Sequence, residues 1–344
     1  ILVDGLFVLY ILTCQWLFTH ALLWINMVYP LFGLVLIYAS LTIYRYLTEE
    51  RERKKIRGAF SHYVSSSVVN EVLKNPDKLK LGGDMKELTV LFSDIRGFTT
   101  ISEGLSPEEV HRLINEYLTA MTNIVFKHGG TLDKYMGDAV MAIYGAPVDQ
   151  PDHAQKACDT ALEMMQVLKD LNAGWIRDGK PLLDIGIGIN TGMMMVGNMG
   201  SEQRFEYTVL GDAVNLGSRL EGANKNYMTH ILISEFTYER VKEEFLCMEI
   251  DSVRVKGKTK PVRIYHLLSR KDASASQAET IRYFHQGLQW YKEQNWDRAM
   301  DAFKTVTAMD KGLYVAQLYL ERIASLKFNP PPPDWDGAFT MKEK

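Results

Sequence analysis

The sequence predicts a mixed α/β (α+β) fold: a central domain of alternating strands and helices, preceded by an apolar helical hairpin and followed by a small helical unit. Three observations predict it. Between Leu88 and Leu268, apolar runs of strand length alternate with longer stretches whose apolar residues recur at helical spacing. Upstream, Asp4 and Arg45 bracket 40 residues that contain no Lys, Arg, Asp or Glu. Downstream, a polar segment rich in Ser and Ala at 271–279 leads into a further helical pattern. A chain of 344 residues is long enough for two or three such units.

A membrane helix needs about 20 residues, so the uncharged stretch in 1–46 fits two spans, at Gly5–Leu23 and Val28–Tyr44, with a turn around Asn26–Pro30. One long buried helical hairpin is the alternative. Gln15 and His20 are polar at that depth, which flags function, although His20 near the outer turn also suits a headgroup or a neighbouring helix. Arg45, Arg51, Arg53, Lys54, Lys55 and Arg57 follow the second span and mark its cytoplasmic side. The expected location is therefore the inner membrane, with everything downstream in the cytoplasm. The chain begins at Ile1, without an initiator Met or a basic leader, and is expected to be a fragment or processed form.

Residues 47–84 are expected to be a helical linker. Glu49 with Arg53 and Glu50 with Lys54 have the favourable acid-first i to i+4 order, so the second helix should run on. Ile56, Phe60, Tyr63, Val64, Val68, Val72 and Leu73 continue an apolar stripe that is either the seam of a parallel helix pair between two copies or a face packed on its own domain. Asn75-Pro76-Asp77 ends it.

In the central domain, 85–270, the expected order is strand 88–95, helix 106–128, a strand pair at 131–144 turning at Gly137-Asp138, helix 150–173, strands 183–190 and 204–210, and helix 212–225. Ser106-Pro107-Glu108-Glu109 supplies a cap, a first-turn proline and first-turn acids. Strand, helix, hairpin, helix, strand is the split βαβ order of ferredoxin-like domains, βαββαβ. The net charge of -3 gives no bulk attraction to nucleic acid, so none is expected as a partner. Cys14, Cys158 and Cys247 form neither a disulfide framework nor a zinc pattern and are expected to be buried.

Chemistry concentrates at two carboxylates. Asp94, in Ser93-Asp94-Ile95-Arg96-Gly97-Phe98-Thr99, and Asp138, in Met136-Gly137-Asp138, each sit at the end of an apolar run, where one sheet edge could hold both. Mg2+ prefers one or two carboxylates with phosphate oxygens and water. Such a pair therefore suits divalent metal on a nucleotide phosphate.

Four motifs occur in one order: Phe92 to Thr99, Asp133-Lys134-Tyr135-Met136-Gly137-Asp138, Gly211 to Glu221, and Val255-Lys256-Gly257-Lys258. Together they resemble the catalytic domain of class III nucleotidyl cyclases across about 180 residues. The resemblance implies conversion of a nucleoside triphosphate to a 3′,5′-cyclic nucleotide and pyrophosphate. It assigns Asp94, Ile95 and Asp138 to two Mg2+ or Mn2+ ions per site, and the backbone of Ile95, Gly97, Phe98 and Thr99 to the phosphates. Asn215 is implied to orient the ribose, Arg219 to stabilise the transferring phosphoryl group, and Lys256, with Lys258 as the alternative, to neutralise the triphosphate. Lys134 and Thr208 fall where the family reads the base, and this pair implies ATP and an adenylate cyclase. Guanylate cyclase and a catalytically silent nucleotide-binding subunit are the alternatives.

One position departs from some members of the family. Asn190-Thr191-Gly192-Met193 has Met193 where they carry an arginine aimed at the polyphosphate, and Arg96 or Lys258 is the candidate replacement. The family shares each site between protomers, and this chain carries both halves, so a homodimer is expected. In 271–344, Gly287, Trp290, Ala299 and Phe303 resemble one tetratricopeptide-like helix pair over Ala278–Phe328, expected to pack on the cyclase domain or its mate. Pro330–Pro333 and Asp334-Trp335-Asp336 form the tail, either a ligand for another domain or a disordered or packed end.

Overall fold

The computed structural model describes residues 2–23, 28–60, 82–254, 261–271, 278–332 and 335–340. The chain divides into two compact units, Ile1–Val69 and Asn70–Lys344. The first unit contains helices α1 (Leu2–Ala21) and α2 (Val28–Phe60). As expected, the second helix runs on through the basic cluster, ending at Phe60. The expected transmembrane hairpin is not borne out: among the described residues, no helix is long and apolar enough to cross a membrane. Helix α1 is unbroken across its polar residues, and two threonine hydroxyls bond back to its own carbonyls, Thr13 to Leu9 at 2.7 Å and Thr19 to Gln15 at 3.0 Å. The rest of the linker, including the apolar stripe from Tyr63 to Leu73, lies outside the described residues.

The second unit is built on β1 (Gly82–Ile95), α3 (Phe98–Glu103), α4 (Pro107–Lys127), β2 (Thr131–Met136), β3 (Ala139–Tyr144), α5 (His153–Arg177), β4 (Ile185–Ser201), β5 (Arg204–Leu210) and α6 (Asp212–Tyr227). It continues through β6 (Ile231–Ser234), α7 (Glu235–Val241), β7 (Phe245–Arg254) and β8 (Val262–Arg270) to helices α8 (Ala278–Lys292), α9 (Trp296–Met309) and α10 (Tyr314–Phe328), then strand β9 (Phe339–Thr340). The sheet runs β2-β3-β1-β4-β6-β8-β7-β9, with β5 paired to β4. Its first four strands have the antiparallel order of the ferredoxin-like fold. The Ser106 cap is a full capping box: Ser106 Oγ accepts from the Glu109 amide, and the Ser106 amide donates to Glu109 Oε2 at 2.8 Å.

Helices α4 and α5 cover one face of the sheet through a core of Tyr117, Met121, Cys158, Met164 and Trp175 with Ile185 and Ile187 of β4. Helix α6 lies against β4 closely enough that a Cβ on Gly188 would overlap the backbone of Glu221 and Gly217. Asn224 locks the same contact, its amide donating to the Ile187 carbonyl at 2.9 Å. All three cysteines are free and buried, as expected.

The C-terminal unit departs from the expected helix pair. It forms three helices, because Asp310-Lys311-Gly312 makes a turn between α9 and α10 in which the Gly312 amide donates to Asp310 Oδ1 at 2.9 Å. One repeat cannot bury its own face; this one buries it on the cyclase-like domain, sharing a core of Phe284, Phe303 and Tyr319 with Leu220 and Tyr227 of α6 and Ile250 of β7. Asp251 is the polar anchor, accepting from Tyr227 at 2.7 Å and from Arg322 at 2.6 Å. The tail is packed: Trp335 contacts Tyr291 and Trp296, and β9 runs parallel to β7.

Candidate active site

Strand β1 delivers Asp94 one residue before its end. In the adjacent antiparallel strand β3, Val140 stands opposite Ser93, which brings the β2–β3 turn and its Asp138 beside Asp94. The two carboxyl groups are close enough to act on each other. Burial, then the Asp138 charge, push Asp94 up from its ordinary 3.8 to about 6, against Lys225 and the Ile95 backbone, which pull it down. Glu221 of α6 adds a third acid: burial, then the Asp94 charge, push it up to about 7. Two neighbouring carboxyls present a hard oxygen pair whose repulsion a divalent cation relieves. The donor set therefore fits Mg2+ or Mn2+. Among the described residues, no group of three or more His, Cys, Asp or Glu is placed to hold a metal ion.

After Ile95 the chain turns through Arg96-Gly97 into α3. Gly97 adopts φ +64, which a residue with a Cβ seldom takes, and a Cβ there would meet only open space. Thr99 is exposed beside it, while Phe98 is half-buried and Ile95 buried in the core. Arg96 is one candidate to replace the arginine missing at Met193. Its guanidinium is held by Asp184 at 3.1 Å and by the Thr229 carbonyl.

Lys134 and Thr208 come together through a residue that sequence reasoning passed over. The Thr208 hydroxyl donates to Asp133 Oδ2 at 2.6 Å, and Asp133 Oδ1 lies 3.6 Å from the Lys134 ammonium, which also meets Glu206 Oε2 at 3.0 Å. Asp133 sits in a β-bulge between Leu132 and Lys134. Burial raises its carboxyl above the usual range, while Thr208 and Lys134 act to lower it.

Asn215 and Arg219 lie one turn apart on α6, Asn215 exposed and Arg219 half-buried. Among the described residues, neither side chain has a hydrogen-bond or ion-pair partner. The start of α6 is fixed from the sheet by Asn190, whose amide donates to the Ala213 carbonyl at 2.7 Å and whose oxygen accepts from Ser234 at 2.5 Å. Asn190 thus has a positioning task, whereas Met193 is exposed. Lys256 and Lys258 lie outside the described residues.

Residues 83–269 match the adenylate and guanylate cyclase catalytic domain. The chain belongs to this family. The cyclase domain is 42% identical to the solved adenylyl cyclase CyaB from P. aeruginosa, with a TM-score of 0.52, covering 56% of this chain and 100% of that one. It is 40% identical to the guanylyl cyclase Cya2, with a TM-score of 0.53, covering 57% of this chain and 98% of that one. Adenylate cyclase 1 of Rhizobium meliloti is 35% identical over 209 residues, which are 61% of this chain and 31% of that protein. The chain spans between 11% and 49% of the length of such relatives.

Asp133, Glu206 and Glu221 are the site groups that sequence reasoning missed. A signal existed for two of them. Asp133 and Glu221 both stand inside motifs that carry the family resemblance, and both are acids that the structure half-buries.

Proposed function

We propose that the chain is an adenylate cyclase, forming 3′,5′-cyclic AMP and pyrophosphate from ATP. The observation that carries this reading is the joining of Lys134 and Thr208 through Asp133, in a domain that also holds the Asp94–Asp138 pair. Lys134 donates to an unprotonated ring nitrogen such as adenine N1. Guanine N1 carries a hydrogen and would leave the ammonium facing another donor, a mismatch of about 1–3 kcal/mol. In the reaction the ribose 3′-oxygen attacks the α-phosphorus, its proton is released, and the bond to the pyrophosphate oxygen breaks. Asn215 orients the ribose, Arg219 stabilises charge on the transferring phosphoryl group, and the backbone of Ile95 to Thr99, with Lys256, holds the triphosphate. Asp94, Asp138 and the Ile95 backbone would hold two Mg2+ or Mn2+ ions, which supply acidification of the 3′-hydroxyl and neutralisation of phosphate charge.

A second reading, guanylate cyclase, is favoured by the 40% identity to Cya2. Assaying the purified chain with ATP and with GTP in Mg2+ or Mn2+ separates the two. Cyclic AMP as the main product supports the proposal. Product from GTP alone overturns the base assignment, and product from neither favours a silent nucleotide-binding subunit.

We also propose that the enzyme is a homodimer, in which Asp94 and Asp138 of one protomer face Lys134, Thr208, Asn215, Arg219 and Lys256 of its partner. The unpartnered Asn215 and Arg219, and the exposed Tyr135, Met136, Met193 and Leu210 on the strands that bear the site, support it. The inner membrane is the proposed location, with the cyclase domain on its cytoplasmic side. Support comes from the exposed apolar side chains of α1 and α2, among them Leu12, Trp16, Phe32, Ile37 and Leu41. Recovery in the soluble rather than the membrane fraction of lysed cells would contradict that location.

A further inference from the structure

We propose that Asp133 sets the nucleotide preference of the site by fixing the direction in which the Thr208 hydroxyl hydrogen-bonds. The proposal rests on the reading of Lys134 and Thr208 as the base-binding pair and adds the residue that gives Thr208 its selectivity. A threonine hydroxyl carries one proton and two lone pairs. Left free to rotate, it accepts from an amine or donates to a carbonyl equally well, and so cannot by itself separate adenine, with its exocyclic amine, from guanine, with a carbonyl at the same place. In this structure the proton is committed: Thr208 Oγ1 donates to Asp133 Oδ2 at 2.6 Å. The oxygen is left able only to accept. An adenine amine matches it, and a guanine carbonyl meets lone pair against lone pair.

Three further observations support this role. Both groups are withdrawn from water, Thr208 with 7% of its surface exposed and the Asp133 side chain with 1%, so solvent does not readily take over the hydrogen bond. The second Asp133 oxygen, Oδ1, is buried without a hydrogen-bond partner, and the Lys134 ammonium stands 3.6 Å from it. One carboxylate thus faces both base-reading groups, and the nearby ammonium favours its ionised, acceptor-only form. Finally, neighbouring residues of a regular strand point to opposite faces. The bulge between Leu132 and Lys134 breaks that alternation and lets Asp133 and Lys134 serve one site. Asp133 need touch no substrate atom to do this. It is a positioning residue acting through Thr208.

The test is the ratio of kcat/KM for ATP to that for GTP, measured on the purified full chain. In Asp133→Asn the amide oxygen is drawn to the Lys134 ammonium on the Oδ1 side, which turns the NH2 donor towards Thr208 and releases the Thr208 proton towards the base. The ratio should fall about ten-fold or more, the equivalent of removing a mismatched hydrogen-bonding pair. Asp133→Glu keeps an acceptor and should hold the ratio nearer to that of the wild type. In a Thr208→Val background, Asp133→Asn should leave the ratio unchanged, because no hydroxyl remains to be turned. If Asp133→Asn lowers turnover of both nucleotides equally, Asp133 is merely structural and the proposal is overturned. A ratio shift that persists without the Thr208 hydroxyl overturns it as well. Should the Asn variant not fold, as judged by circular dichroism, Asp133→Ala takes its place in the same measurement, and the same two results would overturn the proposal. A wild-type chain that turns over GTP alone, or neither nucleotide, would instead show failure of the adenylate cyclase reading beneath it.

Discussion

Replacing Asp94 by Asn should make the metal-free protein more stable at pH 8 while removing most of what magnesium adds. The carboxyl rises from 3.8 to about 6 on folding, through burial first and the Asp138 charge second. A raised carboxyl binds its proton more tightly in the folded state, so the cost to stability is absent below about pH 4, grows as the pH rises, and is complete above about pH 6. A shift of roughly two units corresponds to a ceiling of about 3 kcal/mol. Asp94 is only half-buried, and solvent screening reduces the expected cost to about 1–2 kcal/mol. Asp94→Asn removes this cost; Asp138→Asn removes less, because burial, the larger cause, stays. The assay is urea unfolding in EDTA between pH 4 and pH 8, repeated in magnesium. The gain should shrink steadily from pH 6 to pH 4. In magnesium the order should reverse, since ligand at about 100 times its Kd stabilises only the competent protein, by about 2.7 kcal/mol. An Asn variant no more stable than wild type at pH 8 in EDTA, or a gain that ignores pH, would refute the account of this pair.

Two further predictions concern how α6 is held. Gly188→Ala should cost about 1–3 kcal/mol in urea unfolding, because the added methyl meets the backbone of Glu221 and Gly217 rather than a side chain that can move; cyclic AMP formation should fall with it, as Asn215 and Arg219 ride on that helix. Arg322→Ala should cost roughly 3–5 kcal/mol by the same measurement, because Asp251, with a side chain 1% exposed, loses its cationic partner. An unchanged unfolding midpoint in either variant would show that the contact does not hold α6 in place.

Much of this architecture was legible in the sequence because it follows from local patterns. The Ser106 capping box, the Gly137-Asp138 turn and the strand at 204–210 each depend on residues close to one another in the chain, and each stands where expected. Strand β4 did not, continuing to Ser201 through a stretch rich in Gly and Met that carries no alternation. What extends it is pairing with Gly82–Lys86 of β1, more than 100 residues away. The same limit hid Asp133, whose partner Thr208 lies 75 residues on, and Glu221, which becomes a site group only when α6 packs beside Asp94. The uncharged N-terminal stretch misled in the other direction. Length and lack of charge suggested two membrane spans, whereas no helix among the described residues is long and apolar enough to cross. The third C-terminal helix was missed because a repeat motif was read as a pair, and the tail because its packing depends on aromatic contacts made by Trp335.

The central claim is an ATP site made of two halves from two copies of the chain. Mixing purified Asp94→Ala and Arg219→Ala proteins, each inactive alone, tests it directly, with cyclic AMP as the readout. Random exchange makes half of the dimers mixed, and each of those has one intact site of two. Activity should therefore return to about a quarter of the wild-type value. If mixed dimers form, as a tagged pull-down would show, and no cyclic AMP appears, the shared-site account is contradicted.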